Sequence, residues 1–565
     1  MIEPLSLLHP KGKIPEYINL PPDTVHDLSI DLIASDITED SAEAEIAEGI
    51  MSKMCADQDV IKYRTEVFED IYSNPKIREK MCVLLDKVDY LKTYSSLSRD
   101  SDAAGIWQLM HRLSELGDYI DCVEGIYECL SDSAIKSDGL KEVRDYVKAI
   151  YDENGFVALK KDISELKQDA SKIKSVTLGV NLNPRLEPIE IGINSVNEKW
   201  FKESKIIHNL SDFMAKKEDE ASEKNGADWN GKYDFVRSGQ KRISGNVINA
   251  QYMARGLAYA SSESAELIRS MDKTMGHVLR DTCRKLRNRL SDYVNISINV
   301  IVSNLLPEFL FYVRWAEYIE KKQKEGYWFC HTNVLSESER RMDAHGLYNF
   351  KLIKKNKFSE IVGNNIDFTS DHRAYILTGA NRGGKTTITQ AVGIAFVMAQ
   401  AGLYVPANDF SFSPADNIFT HFPADENQTM DLGRLGEESK RFKEIFKKTT
   451  SLSLLLLNES FATTSFEEGY YIARGAVRAI LEKGSRTIYN THMHKLALDV
   501  DEINSEAGTE SKAASLVVEV ENEQRSFRVS VSKPVGHSFA MDIAKKYGVT
   551  FEQLMKDDGE INEAE

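Results

Sequence analysis

Through most of the first ~330 residues, apolar positions recur at three- and four-residue steps, the period of helices that bury one side. Between 107 and 130 the stripe is Trp107, Met110, Leu113, Leu116, Ile120, Val123, Tyr127 and Leu130, which reads as core packing. The period breaks at 176–197. Val176–Asn181 has the composition of a strand, and Pro184 and Pro188 forbid a continuous helix. Lys216 to Gly231 is charged and almost free of apolar residues, which predicts an exposed loop or linker. His277 to Leu306 contains neither Pro nor Gly, and Pro307 follows. That run predicts a helix of about 45 Å, a lever or spacer. After residue 340 strands and helices alternate, the pattern of a mostly parallel α/β domain. Leu516–Val520 and Phe527–Val531 suggest a hairpin near the end. The expected organisation is a helical core over 1–175, then a connector strand, exposed loop and long lever helices over 176–339, then an α/β domain over 340–565.

One junction within the α/β pattern carries chemistry. Ala374–Thr378 is an apolar strand running into Gly379-Ala-Asn-Arg-Gly-Gly-Lys-Thr386, and a helix with Ile388, Val392, Ala395, Phe396 and Ala399 on one face follows. Strand, glycine-rich turn and helix N-terminus in that order make a phosphate-binding loop. Gly379, Asn381, Gly383, Gly384, Lys385, Thr386 and Thr387 are the expected nucleotide contacts. The lysine supplies a point charge for the β- and γ-phosphates, and the Thr386 hydroxyl a ligand for Mg²⁺. The loop predicts a nucleotide-binding protein.

Two further strands end in polar residues. Ser453-Leu-Leu-Leu-Leu-Asn-Glu459 delivers Asn458 and Glu459 to the end of a buried strand, where ligands of such sheets bind. Asn458 takes the metal position usually filled by Asp, and its uncharged amide predicts weaker magnesium affinity without abolishing it. Glu459 is the expected catalytic carboxylate that orients or deprotonates water. Arg486–Tyr489 ends in Asn490-Thr-His-Met-His494. His492 is expected to donate to the γ-phosphate or the attacking water. His494 is expected at the surface, since no third ligand type clusters with the pair.

Composition narrows the class. With 565 residues, the chain is long enough for several domains, and 42% hydrophobic with 28% charged residues suits a globular protein. No uncharged run reaches membrane-spanning length, and no secretory signal is expected from Met1-Ile-Glu-Pro4. The six cysteines lack metal-like pairing and read as reduced thiols of a cytoplasmic protein, with Cys122 and Cys129 on a packed helix face. The net charge of −17 weighs against nucleic acid as a partner, but base gathers in Arg280, Arg284, Lys285, Arg287 and Arg289. That run is either a solvated helix face or a set of DNA phosphate contacts.

Several segments together resemble the ATPase domain of MutS-type mismatch-repair proteins. They are Thr378–Thr387, Val397–Ala407, Asn458-Glu459 with Gly469, Asn490–Leu496, and Gly536–Ala544 with Tyr547-Gly-Val549. Leu178-Gly-Val-Asn181 resembles the core and lever region of shorter members. The resemblance implies a multidomain protein, with an all-α core and lever region followed by an α/β P-loop ATPase of the ABC type ending in a dimerisation segment. It implies a homodimer that sandwiches ATP and Mg²⁺ and clamps double-stranded or branched DNA, in repair or recombination. By position, Gly433 and Arg434 would meet the partner's nucleotide, although the family usually shows Ser-Thr-Phe there. The chain is roughly 250–300 residues too short for a plan that includes the N-terminal mismatch-recognition domain, given ordinary domain sizes. It therefore resembles a short member lacking that domain. The other function in play is a nucleotide-switched scaffold whose helical arms bind a protein and not DNA.

Overall fold

The computed structural model describes residues 5–88, 106–131, 134–172, 174–182, 184–185, 188–200, 279–291, 293, 301–379, 383–423, 433–521, 524–533, 547, 549–550 and 553–554. The expected linker at Lys216–Gly231 and the terminal segment Gly536–Ala544 lie outside them. The chain divides into two compact units. One comprises Met1–Leu7, Asn74–Lys136 and Leu140–Val313, and the other Leu8–Ser73, Ser137–Gly139 and Arg314–Glu565.

The first unit is helical with one hairpin. Its central helix, Ile106–Ser131, buries Leu113, Leu116, Ile120, Val123 and Leu130. It also buries Leu109, Tyr119, Cys122, Ile126 and Cys129, so the apolar face is wider than the single expected stripe. Met110 and Tyr127 sit at its margins, half-buried, and the Trp107 side chain lies outside the described residues. The strand expected at 176–181 is Ser175–Leu182, paired antiparallel with Pro188–Asn197. Pro188 opens the second strand, a position where a missing N–H is tolerated.

The run from His277 to Leu306 differs from the expected single helix. Its described parts are a helix at Arg280–Ser291 and a π-helical turn at Ile301–Leu305. Nor does Pro307 end the run, for it is the second residue of the helix Leu306–Lys324. Proline cannot donate to the i→i−4 ladder, and the backbone widens into the π-turn just before it.

The second unit is built on a six-stranded sheet: β1 (His372–Thr378), β2 (Ile418–His421), β3 (Leu454–Asn458), β4 (Arg486–Asn490), β5 (Lys512–Glu521) and β6 (Gln524–Val531). The spatial order is β2-β3-β4-β1-β5-β6, parallel except for the terminal hairpin β5–β6. All four leucines of β3 are inaccessible, as a strand covered on both faces requires. Helix α1 (Lys385–Gln400) follows β1 and is buried from Ile388 to its end except at Gln390. A smaller sheet of Thr332–Val334, Asp409–Phe412, Met342–Leu347 and Asn364–Phe368 lies in the same unit, with Phe396 of α1 in edge contact with Phe410 and Phe412.

Helices α2 (Gly433–Lys448) and α3 (Phe466–Lys483) flank the sheet's core. Ser465 caps α3 by accepting from the Glu468 N–H, and Gly484 ends it in a left-handed turn. The N-terminal helices Pro22–Leu28 and Gln58–Ser73 belong to this unit too. Thr24 donates to the Ile418 carbonyl of β2, and Arg64 donates to the Gln400 carbonyl that ends α1. Arg486, fully inaccessible, donates to the carbonyls of Ser413, Pro414 and Leu452 and lies over the Phe396 ring. One buried guanidinium thus satisfies three loop carbonyls.

Candidate functional site

The loop between β1 and α1 begins with a conformation only glycine adopts readily. Gly379 has φ of 142°, and a Cβ there would stand 2.9 Å from that of Val518. Asn381, an expected contact, lies outside the described residues. Gly383 follows, and Gly384 (φ 92°) is the residue before α1, with no side chain capping the helix. The first turn of α1 points its N–H groups toward the loop, and the helix dipole favours an anion there. Lys385 is buried and donates to the Gly379 carbonyl at 3.0 Å. Burial lowers its pKa, and the charge of Glu459 acts in the other direction. Thr387 gives its carbonyl to the Asn349 amide.

Strands β3, β4 and β1 deliver their C-terminal ends side by side. Asn458 is in register with Asn490, and Asn490 with Leu377. The Thr386 hydroxyl donates to Asn458 Oδ1 at 3.0 Å, and Asn490 Nδ2 donates to both Asn458 Oδ1 and Thr386 Oγ1. Glu459 has φ of 54°, a left-handed conformation that is uncommon outside glycine and clusters at functional sites. Its N–H is held by the Asn490 carbonyl. Its carboxylate receives His492 Nε2 at 2.9 Å and the His492 backbone N–H at 3.3 Å. His492 is about half-exposed, while His494, as expected, is on the surface at the start of a short helix.

These groups open on a cavity of about 540 Å³, within the range of small-molecule sites. Gly383 through Ile388, Glu459 and His492 line it together with Tyr348, Leu352, Val362, Asn364 and Phe527. Sequence reasoning missed the latter five. Asn364 opens a strand of the smaller sheet, Phe527 is on β6, and Tyr348, Leu352 and Val362 lie between strands, so no spacing rule links them to the loop. Asn364 joins the smaller sheet to β6 by donating to the Phe527 carbonyl and accepting from the Val529 N–H.

Helix α2 begins at Gly433, and the side chain of Arg434 lies outside the described residues. One turn on, Glu438 accepts from the Phe461 N–H at 2.7 Å and the Thr463 hydroxyl at 2.8 Å, holding the loop that follows Glu459. His421, at the end of β2 and inaccessible, bridges the same elements. Its Nε2 faces the Glu438 carbonyl at 3.2 Å and its Nδ1 the Ser460 hydroxyl at 2.6 Å. A carbonyl can only accept, so the neutral ring carries its proton on Nε2, and the Ser460 hydroxyl, with one proton, faces both Nδ1 and the His421 carbonyl at 3.2 Å.

The basic run falls in the other unit. Arg280, Arg284 and Lys285 are exposed and Arg287 is half-buried. Arg289, which would have broadened the strip, instead pairs with Glu165 at 2.7 Å and Asp162 at 3.6 Å.

Comparison with known proteins gives two matches in chain order. Residues 56–321 match the MutS2 N-terminal domain, and residues 375–562 match MutS domain V. The chain belongs to the MutS family. Within the MutS domain V match lie β1 from Tyr375 onward, Gly383 through Ile388, Asn458, Glu459 and His492. The "Endonuclease MutS2" of Staphylococcus saprophyticus is 31% identical over 211 residues, 36% of this chain and 26% of that protein. That of Thermus thermophilus is 26% identical over 198 residues, 35% and 26% of the two chains. The "DNA mismatch repair protein MutS" of Shouchella clausii is 33% identical over 155 residues, 27% and 18%. The matched segments thus span only about a quarter or less of these MutS relatives.

The buried histidine makes stability depend on pH. Burial, reinforced by the nearby Arg441 charge, pushes the His421 ring down to about 3 from its ordinary 6.5, against the opposing Glu438 carbonyl. Below about 6.5 the unfolded chain takes up a proton that the folded ring refuses. Its contribution is therefore complete above that pH and declines as pH falls toward about 3, by at most about 1.4 kcal/mol per unit. Urea unfolding at pH 7, 6 and 5 should show this slope, and His421→Gln should flatten it.

Proposed function

We propose that the cavity binds and hydrolyses ATP with magnesium, and that nucleotide state governs how a homodimer of this chain engages double-stranded or branched DNA. The observation that carries the reading is the convergence of Lys385, Thr386, Glu459 and His492 on one cavity, with Asn458 hydrogen-bonded to Thr386, at the C-terminal ends of parallel strands. In this reading the domain is a P-loop ATPase. The relatives' names, which speak of mismatch repair and of an endonuclease, support a DNA-related role.

The phosphates take the place where Lys385 now contacts the Gly379 carbonyl, and the N–H groups of the first turn of α1 complete the cradle. The aromatic and apolar side chains of the lining, Leu352 and Phe527 among them, receive the base. Glu459 takes a proton from water, whose oxygen attacks the γ-phosphorus as the bond to the β-phosphate oxygen breaks, leaving ADP and phosphate. His492 fixes the Glu459 carboxylate and stands where it can donate to the γ-phosphate. Magnesium fits the residues present. The Thr386 hydroxyl gives its proton to Asn458 and one lone pair to Asn490, which leaves the other lone pair for the metal. When bound, magnesium would neutralise phosphate charge, and no carboxylate sits at Asn458 to assist it.

DNA engagement would rest on phosphate contacts by Arg280, Arg284, Lys285 and Arg287. Gly433 and Arg434 would face the partner's nucleotide. A protein-binding scaffold is the second reading, favoured by the net charge of −17 and by the pairing of Arg289 with acids of its own unit.

Lys385→Ala should weaken ATP binding by about 3 kcal/mol, roughly a hundredfold, while Glu459→Gln should keep affinity and lose about 10²–10³-fold in turnover. Titration with a fluorescent ATP derivative and a phosphate-release assay separate the two. Unchanged affinity in the first variant would refute the site.

Arg284→Glu with Arg287→Glu should weaken DNA binding for every sequence and lower the salt slope by about one to two, with ATP affinity intact. Salt-dependent binding to duplex and branched DNA measures this. Binding that ignores salt in the native protein would favour the scaffold.

A further inference from the structure

Asn458 creates a problem that a carboxylate would not have. Both oxygens of an aspartate accept hydrogen bonds, so either may face a metal-site hydroxyl. A carboxamide has one accepting end and one donating end, and only one orientation serves. Turned the wrong way, Asn458 would press N–H groups toward the Thr386 hydroxyl and force its lone pairs away from a cation.

The structure holds Asn458 in the serviceable orientation through its in-register neighbour on β4. Asn490 Nδ2 spends one hydrogen on Asn458 Oδ1 and the other on Thr386 Oγ1, at 3.2 Å for the latter. With the Thr386 proton directed to Asn458 Oδ1 at 3.0 Å, the three groups form a closed triangle. The Thr386 proton and both Asn490 amide hydrogens are used in it, and one lone pair of Thr386 is left. The arrangement has a cost, since Asn490 Oδ1 is buried without a hydrogen-bond partner. The opposite orientation of Asn490 would set two carbonyl oxygens against each other, which is worse. Asn490 is itself inaccessible, so solvent cannot take over either role.

We propose that Asn490 is a positioning residue for the metal side of this site: it orients the Asn458 amide, doing by hydrogen bonding what the symmetry of a carboxylate does elsewhere. The proposal rests on the reading of the cavity as an ATP and magnesium site. It makes a sharp claim about dependence. Asn490 is needed because residue 458 is an amide, and becomes dispensable when residue 458 is an aspartate.

The test is a double-mutant cycle on the full chain, read as binding and not as turnover. The affinity for a fluorescent ATP derivative is titrated with Mg²⁺, from an EDTA baseline, in the native protein, Asn490→Ala, Asn458→Asp and the double variant. Asn490→Ala should raise the Mg²⁺ concentration required about tenfold, the usual scale for groups that orient metal ligands. In the Asn458→Asp background the same change should shift it by less than about twofold. An equal loss in both backgrounds, or no loss in the native one, overturns the proposal while leaving the ATP site standing. A native protein that binds ATP with no response to Mg²⁺ overturns the underlying reading and this inference with it. Asn490→Leu, similar in shape and unable to hydrogen-bond, is the second variant should alanine prevent folding, with the same outcomes expected.

Discussion

The register of three neighbouring parallel strands is the constraint on which the site depends. It sets Asn458 beside Asn490 and Asn490 beside Leu377, so that the residues just beyond each strand end converge. Side chains alternate faces along a strand, and a slip of one residue in β3 would turn Asn458 away from Thr386. What prevents the slip is the core and not the site. Leu454 to Leu457 are all inaccessible, and β3 has neighbours on both sides. A polar site one residue past such a strand inherits its precision from hydrophobic packing.

Electrostatically the site is lopsided. Lys385 is buried at one end and Glu459 sits at the other, while the intervening groups around Thr386 are neutral amides and hydroxyls. Burial disfavours the lysine's charge, and a nearby phosphate would restore it, since an opposite charge within contact range favours the ionised form. The neutral triangle has no such reserve. It holds its shape through hydrogen-bond direction alone, and the stored cost is the unpartnered oxygen of Asn490.

Much of this was legible in the chain. A strand, glycines and a helix in sequence, and four leucines ahead of Asn458-Glu459, locate the phosphate end because each element is local. Other features were not local. The hairpin partner Pro188–Asn197 hides behind a proline that reads as a breaker, yet proline is acceptable at a strand's first residue. The π-turn before Pro307 reflects how the backbone absorbs a missing N–H, which periodicity does not register. A helical stripe shows that Pro22–Leu28 has something to bury but not that Thr24 meets β2. Asn490 was visible as a residue at the end of its strand. Its role depends on the neighbour that the register supplies, and pairing across strands is invisible to a reading along one.

The loop after Glu459 shows how such precision is maintained where the backbone resists it. Glu459 and Phe461 both adopt left-handed conformations (φ 54° and 65°), which cost L-residues roughly 1–2 kcal/mol each. Such strain persists only when the surroundings over-determine it. Here Glu438 of α2 grips the Phe461 N–H and the Thr463 hydroxyl, Tyr489 of β4 donates to the Ser460 carbonyl, and His421 of β2 takes the Ser460 hydroxyl. Three separate elements thus hold three of the four residues from Ser460 to Thr463, and only one of those elements, α2, is a helix rather than a strand of the sheet. The strands cannot shift without breaking the ladder. A displacement of α2 along its axis would therefore pull on Glu438, and through it on the strained loop beside Glu459.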